Sequence, residues 1–273
     1  MMTKNIHYHF SRIARRYRSL RRTDSEPIIY IRKRLRKFTH IQAADVGCGD
    51  GRYDVKLFEY LGSRLFLYCI DCNQEMLDEL VSYLNHHRIS QFQVQRAFAD
   101  DLPLENRSLD CLFTFNAIHH FPLREFLSEA ARVLKENGYL FIYTRLRSQN
   151  ERNIWGQYFP LFTEKETRLY ELEQLEDAVE ATPGLGLQSV EFFSYARVSS
   201  LDWLVEQAQH CHYSTFYFYS KEEFERSLSQ FTQNLRRHFS DPNNITWVDE
   251  NVLLVIRKRA SDSRSSLSST VSD

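Results

Sequence analysis

A chain of 273 residues that is 42% hydrophobic has the apolar material for one sizeable α/β domain with insertions, or for two small domains. Thirty-five Lys plus Arg against 36 Asp plus Glu leave a formal charge of -1, which excludes a global field for nucleic acid or anionic lipid; such a partner needs a local patch. The sequence opens without the apolar stretch of a secretory leader, nothing approaches the ~20 apolar residues that span a bilayer, and five scattered cysteines fit a reducing compartment, so a cytoplasmic protein without membrane insertion is expected.

Residues 7–38 have helical periodicity, with apolar positions at Phe10, Ile13, Tyr17 and Leu20 and then Ile28, Ile29, Ile31 and Leu35, broken at Thr23-Asp24-Ser25-Glu26-Pro27. Two helices are predicted to meet at that break, making 1–40 an N-terminal helical segment. It is basic: Arg15, Arg16, Arg18, Arg21, Arg22, Arg32, Lys33, Arg34, Arg36 and Lys37 form a patch that reads either as solvated helix faces or as a phosphate-contacting surface.

From Ile41 to about Tyr143 short apolar runs alternate with amphipathic helices, the pattern of βαβ units and a parallel sheet. Strands are predicted at 43–46, 65–70, 92–97, 111–115 and 139–143, with helices at 55–60, 75–85 and 124–135 between them. Asn137-Gly138 is expected to supply the left-handed stop of the last helix. Beyond Arg145 come an aromatic turn region, a charged helix from Glu164 to Glu180, a strand at 189–197, helices at 201–209 and 221–239, and a strand at 247–257. The domain is therefore expected over 41–259, with lid insertions at about 146–185 and 199–245, and residues 260–273 are expected to be a disordered tail. Cys69 and Cys72 form a C-x-x-C at the end of a buried strand with no second pair nearby, which reads as packing thiols and not as a metal site.

The most informative stretch is Asp45-Val46-Gly47-Cys48-Gly49-Asp50-Gly51, placed after a strand and before a helix. Glycines there let the backbone approach a ligand, and the helix start presents free N–H groups. The spacing is G-x-G-x-G and not the G-x-G-x-x-G of dinucleotide enzymes, which suits a nucleoside without a pyrophosphate and disfavours a nicotinamide or flavin dehydrogenase. Asp71, twenty residues beyond Gly51, closes the second strand where a carboxylate can accept from vicinal ribose hydroxyls. Asp100 or Asp101, after the third strand, can accept from an exocyclic adenine amine. Asn116-Ala117-Ile118-His119-His120 ends the fourth.

Together these runs resemble the class I S-adenosylmethionine-dependent methyltransferases, the type 11 group especially. The glycine run matches that family's first motif, Asp71 its ribose-holding acid, Asp100-Asp101-Leu102-Pro103-Leu104 with Ser108-Leu109-Asp110 its third-strand and fourth-strand signature, and Arg132-Val133-Leu134-Lys135-Glu136-Asn137-Gly138 its following helix and turn, although Asn137 stands where the family usually has glycine. The similarity covers roughly 41–145. It implies an α/β, Rossmann-like, doubly wound, mostly parallel seven-stranded sheet with N-terminal helices and a helical, aromatic insertion. It also implies S-adenosyl-L-methionine as cofactor, touched by Asp45, Gly47, Gly49, Gly51, Asp71, Asp100, Asp101 and Asn116. Tyr17-Arg18-Ser19-Leu20-Arg21 resembles a Tyr-x-x-x-Arg segment that covers the cofactor in some relatives, which brings in Tyr17 and sets Arg21, or equally Arg22, on the methionine carboxylate.

His119 and His120 are candidate general bases, although an activated sulfonium donor can react by alignment alone. Trp155, Tyr158, Phe159, Phe162, Tyr213, Phe216, Tyr217, Phe218 and Tyr219 either wall an acceptor pocket or pack the cap onto the sheet. Three functions stay open. The first is methyl transfer to a small molecule. The second is methylation of tRNA, since Ala117-Ile118-His119-His120 and Ile142-Tyr143 resemble stretches of the wobble-uridine enzymes. The third is a non-enzymatic S-adenosylmethionine-binding module.

Overall fold

Strands β1 (Ile41–Val46), β2 (Leu65–Asp71) and β4 (Leu109–Phe115) are almost wholly apolar, as a parallel strand covered on both faces requires. With β3 (Phe92–Arg96), β5 (Leu134–Thr144), β6 (Leu185–Ser199) and β7 (Ile245–Lys258) they form one seven-stranded sheet in the order β3-β2-β1-β4-β5-β7-β6. The first five are parallel; β7 runs antiparallel to β5, and β6 antiparallel to β7. The computed structural model describes residues 11, 14, 18 and 20–260. Expectations for Tyr17 and for all but the first residue of a tail over 260–273 lie outside them.

One face of the sheet is covered by α1 (Glu26–Arg34), α2 (Arg52–Leu61) and α3 (Gln74–His86), whose Ile28, Ile31, Leu57, Leu77 and Leu80 pack with Ala43, Leu67, Phe113 and Phe141. The other is covered by α4 (Leu123–Val133) and α8 (Leu172–Glu180), where Phe126, Leu127, Leu175 and Val179 meet Ala44, Leu112, Ile142 and Leu254. A third apolar cluster lies off the sheet. There Trp155 of α6 (Ile154–Tyr158), which follows α5 (Arg147–Arg152), Phe159 just past α6 and Phe162 at the start of α7 (Phe162–Lys165) pack on Leu204 of α9 (Leu201–Gln209), on Phe216, and on Phe231 and Leu235 of α10 (Lys221–His238). Trp155 stacks on Phe231 with ring centroids 5.0 Å apart, so the two inserts between strands form one lid body.

Two local expectations are corrected. The charged helix expected over Glu164–Glu180 is two helices, α7 and α8. Between them Glu166 turns inward, accepting a hydrogen bond from Thr215 Oγ1 at 2.6 Å and pairing with Arg168, and a capping box of Glu171 and Gln174 restarts the helix. Asn137-Gly138 does not stop α4. That helix ends at Val133 because Leu134 already pairs with Leu109 in the sheet, and Asn137, with φ of 64°, lies where the β4–β5 register shifts.

Gly51 precedes α2 with φ of 80°, and a β-carbon there would stand 2.9 Å from Leu80 Cγ of α3. Gly51→Ala is expected to cost about 1–3 kcal/mol, combining left-handed strain with overpacking. A urea midpoint unchanged from the parent protein would contradict this reading.

Candidate functional site

Strand order reverses between β1 and β4, so the loops leaving their carboxyl ends diverge and open a crevice. The loop after β1 is held by its neighbour: Gly47 N–H and Cys48 N–H donate to Ile70 O at 2.8 and 3.2 Å, and Gly49 N–H donates to Asp71 Oδ2 at 3.0 Å. The other Asp71 oxygen accepts from Asn73 N–H at 2.9 Å, and the Asn73 side chain caps α3 through Met76 N–H. Gly47, with φ of 74°, admits no side chain, since a β-carbon would lie 2.5 Å from that of Ala117 in the loop after β4. The two loops therefore meet backbone to side chain at the floor of the crevice.

The crevice widens into a cavity of about 1180 Å³. Its lining includes Asp45, Gly47, Gly49, Asp71, Asp100, Asp101, Asn116, Arg21, His119 and His120. Gly51 is not in the lining; its left-handed turn serves the packing of α2 on α3. Asp110, at the amino end of β4, accepts from Gln42 N–H and pairs with Lys135. Cys69 and Cys72 are free thiols, and burial with the Asp71 charge pushes the Cys72 thiol up to about 12. Among the described residues no group of three or more His, Cys, Asp or Glu is placed to hold a metal ion.

Beneath the glycine loop two carboxyls are buried together. Burial and the neighbouring Asp54 raise Asp45 well above the usual carboxylate range, which favours its neutral form. Burial likewise pushes Asp54 up to about 6.

The opposite half of the cavity holds residues that sequence reasoning missed. Arg145, just past β5, pairs with Asp249 at 3.1 Å and donates to Tyr213 Oη at 2.9 Å. Arg197 pairs with Asp249 at 3.1 Å and with Asp24 at 2.7 Å, so the chain before α1 is tied to β6 and β7. Arg168 pairs with Glu166, donates to Ser214 Oγ at 3.0 Å and lies 3.3 Å from His120 Nδ1. The available signal was weak: Arg168 stands in a run of charges, Arg145 is followed by Arg147, and Arg197 is the one basic residue of its strand. Of the aromatic block, Trp155, Tyr213 and Phe218 line the cavity, whereas Phe159, Phe162 and Phe216 are spent on the lid core.

Two histidines are held neutral. Burial, then the Arg168 and Arg21 charges, push His119 well below its usual range. Burial and Arg21 do the same to His212, whose Nδ1–H donates to Gln207 O at 3.0 Å, leaving Nε2 as acceptor.

Arg18 and residues 20–24 lie along the same side. Arg18 pairs with Asp50 at 3.5 Å, the Arg21 guanidinium sits over the Tyr213 ring at 4.4 Å and that of Arg22 over Trp203 at 5.3 Å, and Arg52 donates to Arg22 O at 2.8 Å. Arg18 and Arg21 are thus engaged with protein groups, whereas Arg22 is exposed beside Trp203, which weakens this part of the patch as a phosphate-contacting face. No helix among the described residues is long and apolar enough to cross a membrane.

Residues 44–142 match a family model described as a methyltransferase domain. The phthiotriol/phenolphthiotriol dimycocerosates methyltransferase of Mycobacterium tuberculosis is similar, 34% identical over 104 residues, which are 38% of this chain and 36% of that one. The match thus spans little more than a third of that relative's length. The structure of YcgJ from Bacillus subtilis superposes with a TM-score of 0.58 and 16% identity, over 87% of this chain and all of the other. The phosphoethanolamine N-methyltransferase 2 of Haemonchus contortus, solved with phosphomonomethylethanolamine and S-adenosylhomocysteine, superposes with a TM-score of 0.54 and 17% identity over 86% of this chain and 52% of that one. At such identities the likeness is one of fold.

The raised Asp54 gives a pH test. A carboxyl whose folded pKa is about 6 against an ordinary 3.8 disfavours the folded state once it ionises, so stability falls as pH rises between those values and then levels. Asp54→Asn should therefore gain on the parent protein by on the order of 2 kcal/mol between pH 4 and pH 8. Urea titrations at the two pH values would refute this if the difference between variant and parent stayed constant.

Proposed function

We propose that this chain, a member of the class I S-adenosylmethionine-dependent methyltransferase family through residues 44–142, binds S-adenosyl-L-methionine at the glycine-loop end of its cavity and transfers the methyl group to a small-molecule acceptor held under the lid. The observation that carries the reading is the junction of Gly49 and Asp71. Two strand ends 22 residues apart are bound together, so a bare backbone and a carboxylate face one cavity from adjacent loops. Those groups fit an amino-acid moiety beside Gly47 and Gly49 and a ribose on Asp71. Asp100 and Asp101, on the next loop, suit the adenine amine, and Asn116, whose Oδ1 accepts from Asn251 Nδ2 at 3.3 Å, suits the end where the acceptor arrives. Asp45 acts from below as a neutral support of the loop.

Bound S-adenosylmethionine would supply an activated methyl group on a sulfonium. The work left to the chain is to align an acceptor, exclude water and take up a proton where the acceptor loses one. A cavity of about 1180 Å³ exceeds the ~300–1,000 Å³ of a single-ligand pocket, which supports two occupants. Neutral His119 is the better proton acceptor of the two neighbouring imidazoles, because Nδ1 of His120 faces the Arg168 guanidinium. On this reading residues 41–259 are the catalytic domain, 146–185 and 199–245 its lid, and the preceding segment part of the closure. A tRNA acceptor gains no support from the inward-facing arginines. A binding module without turnover is separated by experiment.

Calorimetric titration with S-adenosylmethionine and S-adenosylhomocysteine should give saturable binding, weakened about tenfold or more in Asp71→Ala through loss of charge-assisted hydrogen bonds. A labelled-methyl screen across metabolites then distinguishes enzyme from binding module. Indifference of the purified protein to both nucleosides would overturn the proposal. In the active enzyme, His119→Gln should lower kcat by about 10²-fold or more and remove the acidic limb of the kcat–pH profile; a profile of unchanged shape would exclude His119 as base.

A further inference from the structure

The outer edge of the sheet carries a surface that matches itself, and we infer that β6 is the seat of a two-fold interface, pairing antiparallel with β6 of a second copy of this chain about an axis at Ser194. β6 is the last strand of the sheet, and from Ser189 to Ser199 it runs against β7 without a register shift. An edge strand presents a row of N–H and C=O groups that can template a further strand, and soluble proteins usually blunt such a row with proline, lysine or a bulge. The run Val190-Glu191-Phe192-Phe193-Ser194-Tyr195-Ala196-Arg197-Val198 has none of these. Instead Phe192, Ser194, Ala196 and Val198 lie exposed on one face, Phe192 by 62% and Val198 by 51%. Val248 of β7, opposite Ala196 in the ladder and 50% exposed, extends the apolar surface.

Two hydrogen bonds give the direction of the backbone groups. Val198 O accepts from Arg22 Nη2 at 3.4 Å, away from β7, and Glu250 O, in the residue paired with Ser194, accepts from Arg145 Nε at 3.4 Å on the β5 side. Alternate residues of a strand direct their N–H and C=O to one side, so Val190, Phe192, Ser194, Ala196 and Val198 direct theirs outward. A two-fold axis at Ser194 sets Phe192 opposite Ala196 of the second copy, Val190 opposite Val198, Phe193 opposite Tyr195, and Glu191 opposite Arg197. Each of these pairs is complementary: a large ring meets a methyl, apolar meets apolar, ring meets ring, and opposite charges meet. Moving the axis by one residue in either direction removes the pairing of Glu191 with Arg197. Such reciprocity is what an isologous interface requires, and it favours a second copy over an unrelated strand. Arg197 also lines the cavity, so the interface abuts the wall held by Asp24 and Asp249.

Sedimentation of the full-length protein across about 1–100 μM should show a concentration-dependent dimer. Phe192→Lys, at an exposed position, should keep the far-UV circular dichroism of the parent protein and weaken dimerisation about tenfold or more, since it sets a charge on the shared apolar surface. Ser194→Cys tests the register. Directly opposed residues of this kind have α-carbons ~5.5 Å apart, within reach of a disulfide, so mild oxidation should yield a linked dimer. The parent protein, with its five native thiols, should yield none. Gln188→Cys, on the same strand, should also stay unlinked, because its two copies would stand on the order of 40 Å apart. A parent protein that remains monomeric throughout would overturn the inference and leave the edge to a partner of another kind. So would a dimer that Phe192→Lys leaves intact, or one in which Ser194→Cys links no more readily than Gln188→Cys.

Discussion

The hydrogen bond from Gly49 N–H to Asp71 Oδ2 joins the ends of β1 and β2, and the geometry of the cavity follows from it. Backbone N–H groups at a strand-to-helix turn have no partner in the sheet or in the helix and need a substitute. Here the substitute is a carboxylate on the neighbouring strand. The bond ties the glycine loop to the end of the neighbouring strand. Because Gly47 lies against Ala117 with no space for a side chain, the same loop also sets the distance between the β1 and β4 ends, the point where an open α/β sheet divides.

Charge is arranged around that floor in two tiers. Below it, burial raises both Asp45 and Asp54, and the Asp54 charge adds to the rise at Asp45, so Asp45 supports the loop in its neutral form. Above it, Asp24, Arg197, Asp249 and Arg145 form a chain of ion pairs linking the residues before α1 with β5, β6 and β7. Half-buried pairs of this kind contribute little net stability against their desolvation, but removing one partner strands the other, which makes them effective at setting register. They bring elements far apart in sequence to one wall: Arg197 and Asp24 are separated by 173 positions.

Legibility from the amino-acid order was high wherever interactions are local or periodic. Apolar runs of four to seven residues, such as 65–70 and 111–115, mark buried parallel strands, and the observed β2 and β4 differ from them by no more than two residues at an end. Asp45, Gly47, Gly49, Asp71, Asp100, Asp101 and Asn116 line one cavity because each lies at or just past a strand carboxyl end, a position that strand counting alone locates. Helix ends were harder. Asn137-Gly138 looks like a helix stop, yet pairing of Leu134 with Leu109 ended α4 first, and an inward-facing Glu166 split a run of good helix formers. In both cases a tertiary contact outweighed a propensity worth less than a kilocalorie per residue.

What the chain order by itself determined is the α/β frame, the glycine loop and the family resemblance that goes with it, since these depend on spacing between neighbours and on the alternation of strand and helix. Only tertiary structure decided the cavity wall that carries the lid. Arg21, Arg145, Arg168, Arg197 and Tyr213 are ordinary surface-type residues in sequence and become a charged, ring-lined wall through lid packing and ion pairs between distant segments. The physical reason is that periodicity encodes which side of an element is buried, whereas the sign of the charge facing a cavity depends on which elements meet there.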